Sequence, residues 1–214
     1  MTISHHPDGA TLMSYAAGSL PEALAVVTAS HLAQCSRCRH ELMLMERVGA
    51  ALLVGLDAAP VGRINVPELS GEAVQDVLPS ARRVAPGDVP LPLSDLIGTD
   101  LSAVQWKRLL PGVWRHEIVL SGDKSGYLTL LRANPGRAIP RHGHGGSELT
   151  LVLQGAYADV TGRYESGDCA DLDDDVEHRP VADPLVGCVC VVASETQPRL
   201  AGLLGRLIQP FIGR

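Results

Sequence analysis

An α+β fold is predicted, in which a small helical module comes first and an antiparallel β-barrel follows. Three observations carry this reading. Apolar residues recur at helical spacing from Asp8 to about Leu56. Pro60, Pro67, Pro79, Pro86, Pro90 and Pro92 crowd residues 58–98, where they withhold backbone donors and push their predecessors into extended conformations. Beyond Asp100 the chain breaks into short runs rich in Val, Leu and Tyr, divided by Gly, Asp, Asn and Pro. Over 214 residues this gives two domains: a helical domain at 1–80, a linker at 81–99, a barrel at 100–196 and an amphipathic tail at 197–214.

The first helix carries Leu12, Tyr15 and Ala16, and Gly18-Ser19 ends it. A second starts near residue 20, where Ser19 offers a cap, Pro21 suits the first turn and Glu22 meets the positive end of the dipole. It carries Leu24, Val27 and Leu32. A third, Cys38 to about Val54, aligns Leu42, Met45, Val48, Leu52 and Leu53. Within the proline-rich stretch, Ser70–Leu78 is expected to form a short helix with Val74, Val77 and Leu78 on one side. The expected strands are Val113–Leu120, Tyr127–Ala133, Glu148–Leu153, Tyr157–Thr161, His178–Ala182 and Val186–Ala193, a spacing that suits a sandwich or barrel. From Arg199 the tail places Leu200, Leu203, Leu204, Leu207, Ile208 and Phe211 on one helical face, interrupted at Pro210. That face suits packing on the barrel or in a homodimer better than lying on a membrane.

Composition narrows the function classes. A formal net charge of −6 without a Lys/Arg run argues against direct nucleic-acid binding. Apolar runs stop well short of the ~20 residues that span a bilayer, and Met1–His6 lacks the pattern of a signal peptide. A cytoplasmic protein is expected. In a reducing compartment, five cysteines containing a Cys-x2-Cys point to metal or redox chemistry before structural disulfides. Cys169, Cys188 and Cys190 read as buried small hydrophobes, the last two on one strand face.

Two clusters carry the chemistry. Steps of four and seven residues from His31 to Cys35 and Cys38 return to nearly one side of a helix at about 100° per residue. Thiolates and imidazole suit zinc, and His6 or His5 is available as the fourth ligand. Zinc would tie the chain start to the second and third helices, a staple that a ~50-residue core needs. His31-x3-Cys35-x2-Cys38, with an upstream histidine and helix, resembles the zinc-binding anti-sigma domain that restrains extracytoplasmic-function sigma factors. The resemblance covers residues 1 to about 80. It implies three helices and a separate fourth clamped around the sigma factor, matched by the 70–78 helix, with His6 as the first zinc ligand and His5 its neighbour.

The second cluster begins with His142 and His144, two apart and so on one face of a strand. Glu148 adds a carboxylate, and the last ligand should come from a later strand, with His178 the best candidate and His116 its substitute. Three imidazoles and a carboxylate suit a divalent metal, zinc first, with Mn, Fe, Ni or Cu compatible. The run Gly136-x5-His142-x-His144-x3-Glu148-x6-Gly155 resembles the first cupin motif. The second motif is matched loosely by Gly162, Gly167-Asp168 and His178, without its Pro-x-Gly step or the Asn after the histidine.

In this order the two halves resemble the ChrR type of anti-sigma factor, a zinc anti-sigma domain fused to a cupin. The resemblance implies a regulator that inhibits a group IV sigma factor and releases it under oxidative stress such as singlet oxygen, with the cupin needed for the response. It implies no enzyme and no catalytic residue. The alternative is a metal-dependent cupin enzyme of the oxygenase or isomerase class, for which Asp171, Asp173, Asp174, Asp175 and Glu177 near His178 are the only acids at hand; they read as a solvated loop. Oxidation of the zinc-site thiolates, expelling metal, is a third, compatible switch.

Overall fold

The structure is a computed structural model that describes residues 2–57, 89–121 and 126–197, together with the backbone of residues 199–200. The helix expected at 70–78 and the tail beyond Leu200 lie outside the described residues. Among the described residues, four α-helices, α1 (Gly9–Ala16), α2 (Glu22–Gln34), α3 (Ser36–Val54) and α4 (Leu93–Ile97), and a 3-10 turn at Leu101–Ala103 precede the sheets. The strands are β1 (Lys107–Leu110), β2 (Val113–Ile118), β3 (Tyr127–Ala133), β4 (His142–Gly143), β5 (Glu148–Ala158), β6 (Arg163–Glu165), β7 (Cys169–Leu172), β8 (Glu177–His178), β9 (Val181–Ala182), β10 (Cys188–Ser194) and β11 (Arg199–Leu200).

Local chemistry sets the helix ends. The Thr11 N–H donates to the Asp8 carboxylate at 2.7 Å, which caps α1. Ser19 does not cap α2: its hydroxyl donates to the Ser14 carbonyl, and Pro21 precedes the helix without a side-chain cap. Cys35 is extended, so α2 and α3 are two helices meeting at that residue. Within the stretch expected to be linker, α4 packs into the core, with Val89 and Leu93 buried.

The larger sheet has eight strands along the path β1-β2-β3-β10-β5-β6, with β7 and β9 also paired to β5, and the smaller runs β11-β4-β8. All pairings are antiparallel. Among the described residues the hydrogen-bonded path stays open, so the β-architecture is the antiparallel one expected without a closed ring. Two runs expected as separate strands, Glu148–Leu153 and Tyr157–Thr161, meet in the single strand β5, which takes in the whole of the first but ends at Ala158 in the second. Gly155 joins them at φ +71, beside a register shift against β10, and a Cβ there would strike the Gly187 carbonyl. The run His178–Ala182 instead divides into β8 and β9. Arg199 and Leu200, expected to begin a helix, pair with β4 as β11.

Alternation along the strands gives the large sheet two buried faces. Leu149 and Leu151 of β5, Leu128 and Leu130 of β3 and Val191 of β10 face α2, where they join Ala23, Leu24 and Val27 in one apolar cluster. Cys188, Cys190 and Val192 of β10 face the other way, into a cavity of about 480 Å³. Burying Leu24 and Val27 is worth about 1.5–3 kcal/mol each. The helical region therefore shares its core with the sheet, beyond the small cluster of Leu12, Leu32, Cys35 and Cys38.

Candidate metal centres

His6, His31, Cys35 and Cys38 each bring one ligand atom within 4.8 Å of the others. The cluster joins the segment before α1, the last turn of α2, the α2–α3 junction and the first turn of α3, so its ligands do not lie along one helix as the spacing suggested. His6 Nδ1 lies 3.4 Å from both Sγ atoms. The His31 Nδ1–H donates to the Gly167 carbonyl at 3.0 Å, while its buried Nε2 has no partner. Burial lowers the pKa of His31 to about 4 and raises that of Cys38 to about 12, the latter helped by its hydrogen bond with Cys35. A partnerless imidazole nitrogen beside two thiols is the donor set of a thiophilic divalent ion, which would stabilise the thiolates. Two thiolates would cancel its charge.

His5 points elsewhere. Its Nδ1 pairs with Asp168 at 3.1 Å and its ring leans on Tyr164. Of the two adjacent histidines, the fold brings His6 to the cluster.

His142, His144, Glu148 and His178 form a second group, all buried, with one ligand atom from each within 4.8 Å of the rest. β4 pairs with β8 so that His142 sits opposite His178, and Glu148 opens β5. The Nε2 atoms of His142 and His144 lie 3.1 and 3.2 Å from that of His178, and Glu148 Oε2 is 3.0 Å from His144 Nδ1. Bonds of about 2.0–2.1 Å at tetrahedral angles put nitrogens about 3.4 Å apart, so this spacing fits an ion at the centre. Outer partners fix the rings: the Pro140 carbonyl is 2.9 Å from His142 Nδ1, and Asp159 Oδ2 is 2.7 Å from His178 Nδ1. Burial pushes the Asp159 carboxyl up, but hydrogen bonds from His178 and Thr161 outweigh it and hold the pKa low. One carboxylate would leave a divalent ion with net positive charge, open to an anionic ligand from the cavity that His142, Glu148 and His178 help to line.

His116, the substitute ligand, lies outside this group, its Nδ1 on the Gln105 carbonyl at 3.1 Å. Asp173, Asp174 and Asp175 are exposed, as a solvated loop should be. Cys169, Cys188 and Cys190 are all buried. Asp159, Gly167 and Asp168 were not anticipated as supports, since nothing local in the sequence marks residues that act across the fold.

Residues 94–197 match the family model described as the ChrR cupin-like domain. The chain is 37% identical over 212 residues to the anti-sigma-E factor ChrR of Cereibacter sphaeroides, covering 99% of each. It also matches the crystal structure of Rhodobacter sphaeroides SigE in complex with the anti-sigma ChrR, at 38% identity and a TM-score of 0.74, over 90% of this chain and 100% of that one. No helix among the described residues is long and apolar enough to cross a membrane. With the paired clusters and nearly full-length similarity, the chain belongs to the ChrR family of anti-sigma factors.

Proposed function

We propose that this chain binds and inhibits an extracytoplasmic-function sigma factor of group IV, keeping it from RNA polymerase in the cytoplasm. The observation that carries the reading is the far half of α3: Val48, Leu52, Leu53 and Val54 are 57, 68, 70 and 86% exposed. These residues leave an apolar helix surface of the kind a partner covers. Leu24 and Val27, which the helical pattern also offered, are occupied by the sheet instead. The family relative crystallised with SigE supports the choice of partner.

Zinc is the metal proposed for both clusters, held by His6, His31, Cys35 and Cys38 in one and by His142, His144, Glu148 and His178 in the other. In the first it would fix the helical geometry that the sigma factor meets. The second would serve the response to oxidative stress, singlet oxygen among the candidate signals, with the adjoining cavity as its access route. The division into residues 1–80, 81–99, 100–196 and 197–214 is kept as the working domain map. Co-expression with the candidate sigma factor and copurification tests the proposal; a zinc-loaded chain that emerges without the sigma factor would overturn it.

A further inference from the structure

We infer that the turn between β6 and β7, residues 165–169, is the outer shell of the first metal cluster, with Asp168 as a positioning residue for His6. The inference rests on the proposal that this cluster holds a metal. Asp168 is 1% exposed, and its carboxylate reaches far along the chain. Oδ1 accepts from the Ser4 N–H at 2.7 Å and the His5 N–H at 3.0 Å, while Oδ2 accepts from the Glu165 N–H at 2.9 Å and lies 3.1 Å from His5 Nδ1. The Ser4 hydroxyl adds contacts of 3.2 Å to both oxygens. Only the Glu165 bond is local to the turn. In return, the Cys169 N–H donates to the His5 carbonyl at 3.1 Å. Residues 4 and 5 are thus held on both sides, and His6 is the next residue.

The same turn orients a second ligand. The Gly167 carbonyl accepts a hydrogen bond from His31 Nδ1–H, which leaves the Nε2 lone pair free to face the cluster. Gly167 adopts φ +91, and a Cβ there would come within 2.9 Å of Ile3 Cγ1, so glycine both makes the turn and admits the N-terminal segment. The turn is anchored to β5, where the Gly167 N–H donates to the Val152 carbonyl at 2.8 Å and the Val152 N–H to the Asp168 carbonyl at 3.0 Å. His6 and His31 therefore take their aim from the cupin, whereas Cys35 and Cys38 take theirs from the ends of α2 and α3. Retention of the metal depends on the cupin staying docked.

The test uses the full chain loaded with Co2+, because a thiolate-to-cobalt charge-transfer band reports the first cluster alone; the second cluster contains no sulfur ligand. Loss of the band on adding EDTA is timed for the wild type, Asp168→Ala and Ser4→Pro. Ser4 is exposed, so its variant removes the shortest clamp bond without opening the core. Both variants should release cobalt about 10–100-fold faster, the range for lost outer-shell partners, and Ser4→Pro should do so with unchanged melting of the β-region. Wild-type release rates in Ser4→Pro would overturn the clamp, whether or not Asp168→Ala folds. A wild type that never develops the band overturns the metal reading itself, and the clamp with it.

Discussion

The two clusters occupy opposite ends of a scale of preorganisation. The second stands mostly on paired strands, with His144 just past the end of β4, all four side chains buried and the outer nitrogens of His142 and His178 already engaged. The first is gathered from separate pieces of chain and includes a half-buried His6. A site on strands exists before its metal arrives. A site where separate segments meet draws more of its geometry from the metal, and so can transmit its loss as a change of shape.

The sharpest attempt to break this contrast is Cys38→Ser. Binding of structural zinc contributes on the order of 10 kcal/mol in small metal-held folds, so the variant should lose first-site metal and lower the melting temperature, while the second metal stays bound below that transition. Equal loss at both sites would erase the distinction. Next in size is Leu24→Ala, at a position 1% exposed between α2 and the sheet. It should cost about 2–5 kcal/mol and lower the melting of helical and β signals together; separate transitions would show two independent cores.

Asp159→Ala probes the other side. Removing the partner 2.7 Å from His178 should weaken metal at the second site about 10–100-fold, leaving the first unchanged in a competition titration. The smallest effect on stability belongs to the paired change Leu52→Asp and Leu53→Asp. Both positions are exposed, so the unfolding free energy should change by no more than about 0.5 kcal/mol per substitution. Capture of the sigma factor should nonetheless fail, and retained capture would place the partner elsewhere.

The candidate metal ligands were more legible than the residues that support them, for a physical reason. Cys35 and Cys38 are close in sequence, as are His142, His144 and Glu148, so spacing along a local element betrays them. His178 entered as the best match from a distant strand, and the β4–β8 register sets it opposite His142. The choice between His5 and His6 depends on Asp168, more than 160 residues away, and no local pattern encodes that distance. Helix periodicity found α1, α2 and α3 but not that the α2 stripe belongs to the sheet. Apolar spacing shows that a face is covered without showing by what. The short strands β6 and β7 escaped because Arg163–Glu165 and Cys169–Leu172 carry charge beside apolar residues and read as loop.

The seating of α2 on the β-region limits how freely nature or an engineer can exchange parts. A helical head cut away from its carrier would present Ala23, Leu24 and Val27 to water as a sticky stripe, and would tend to self-associate before it met any client. Grafting a new sensor onto this head would require the replacement sheet to offer the same contour that Leu128, Leu130, Leu149, Leu151 and Val191 offer now.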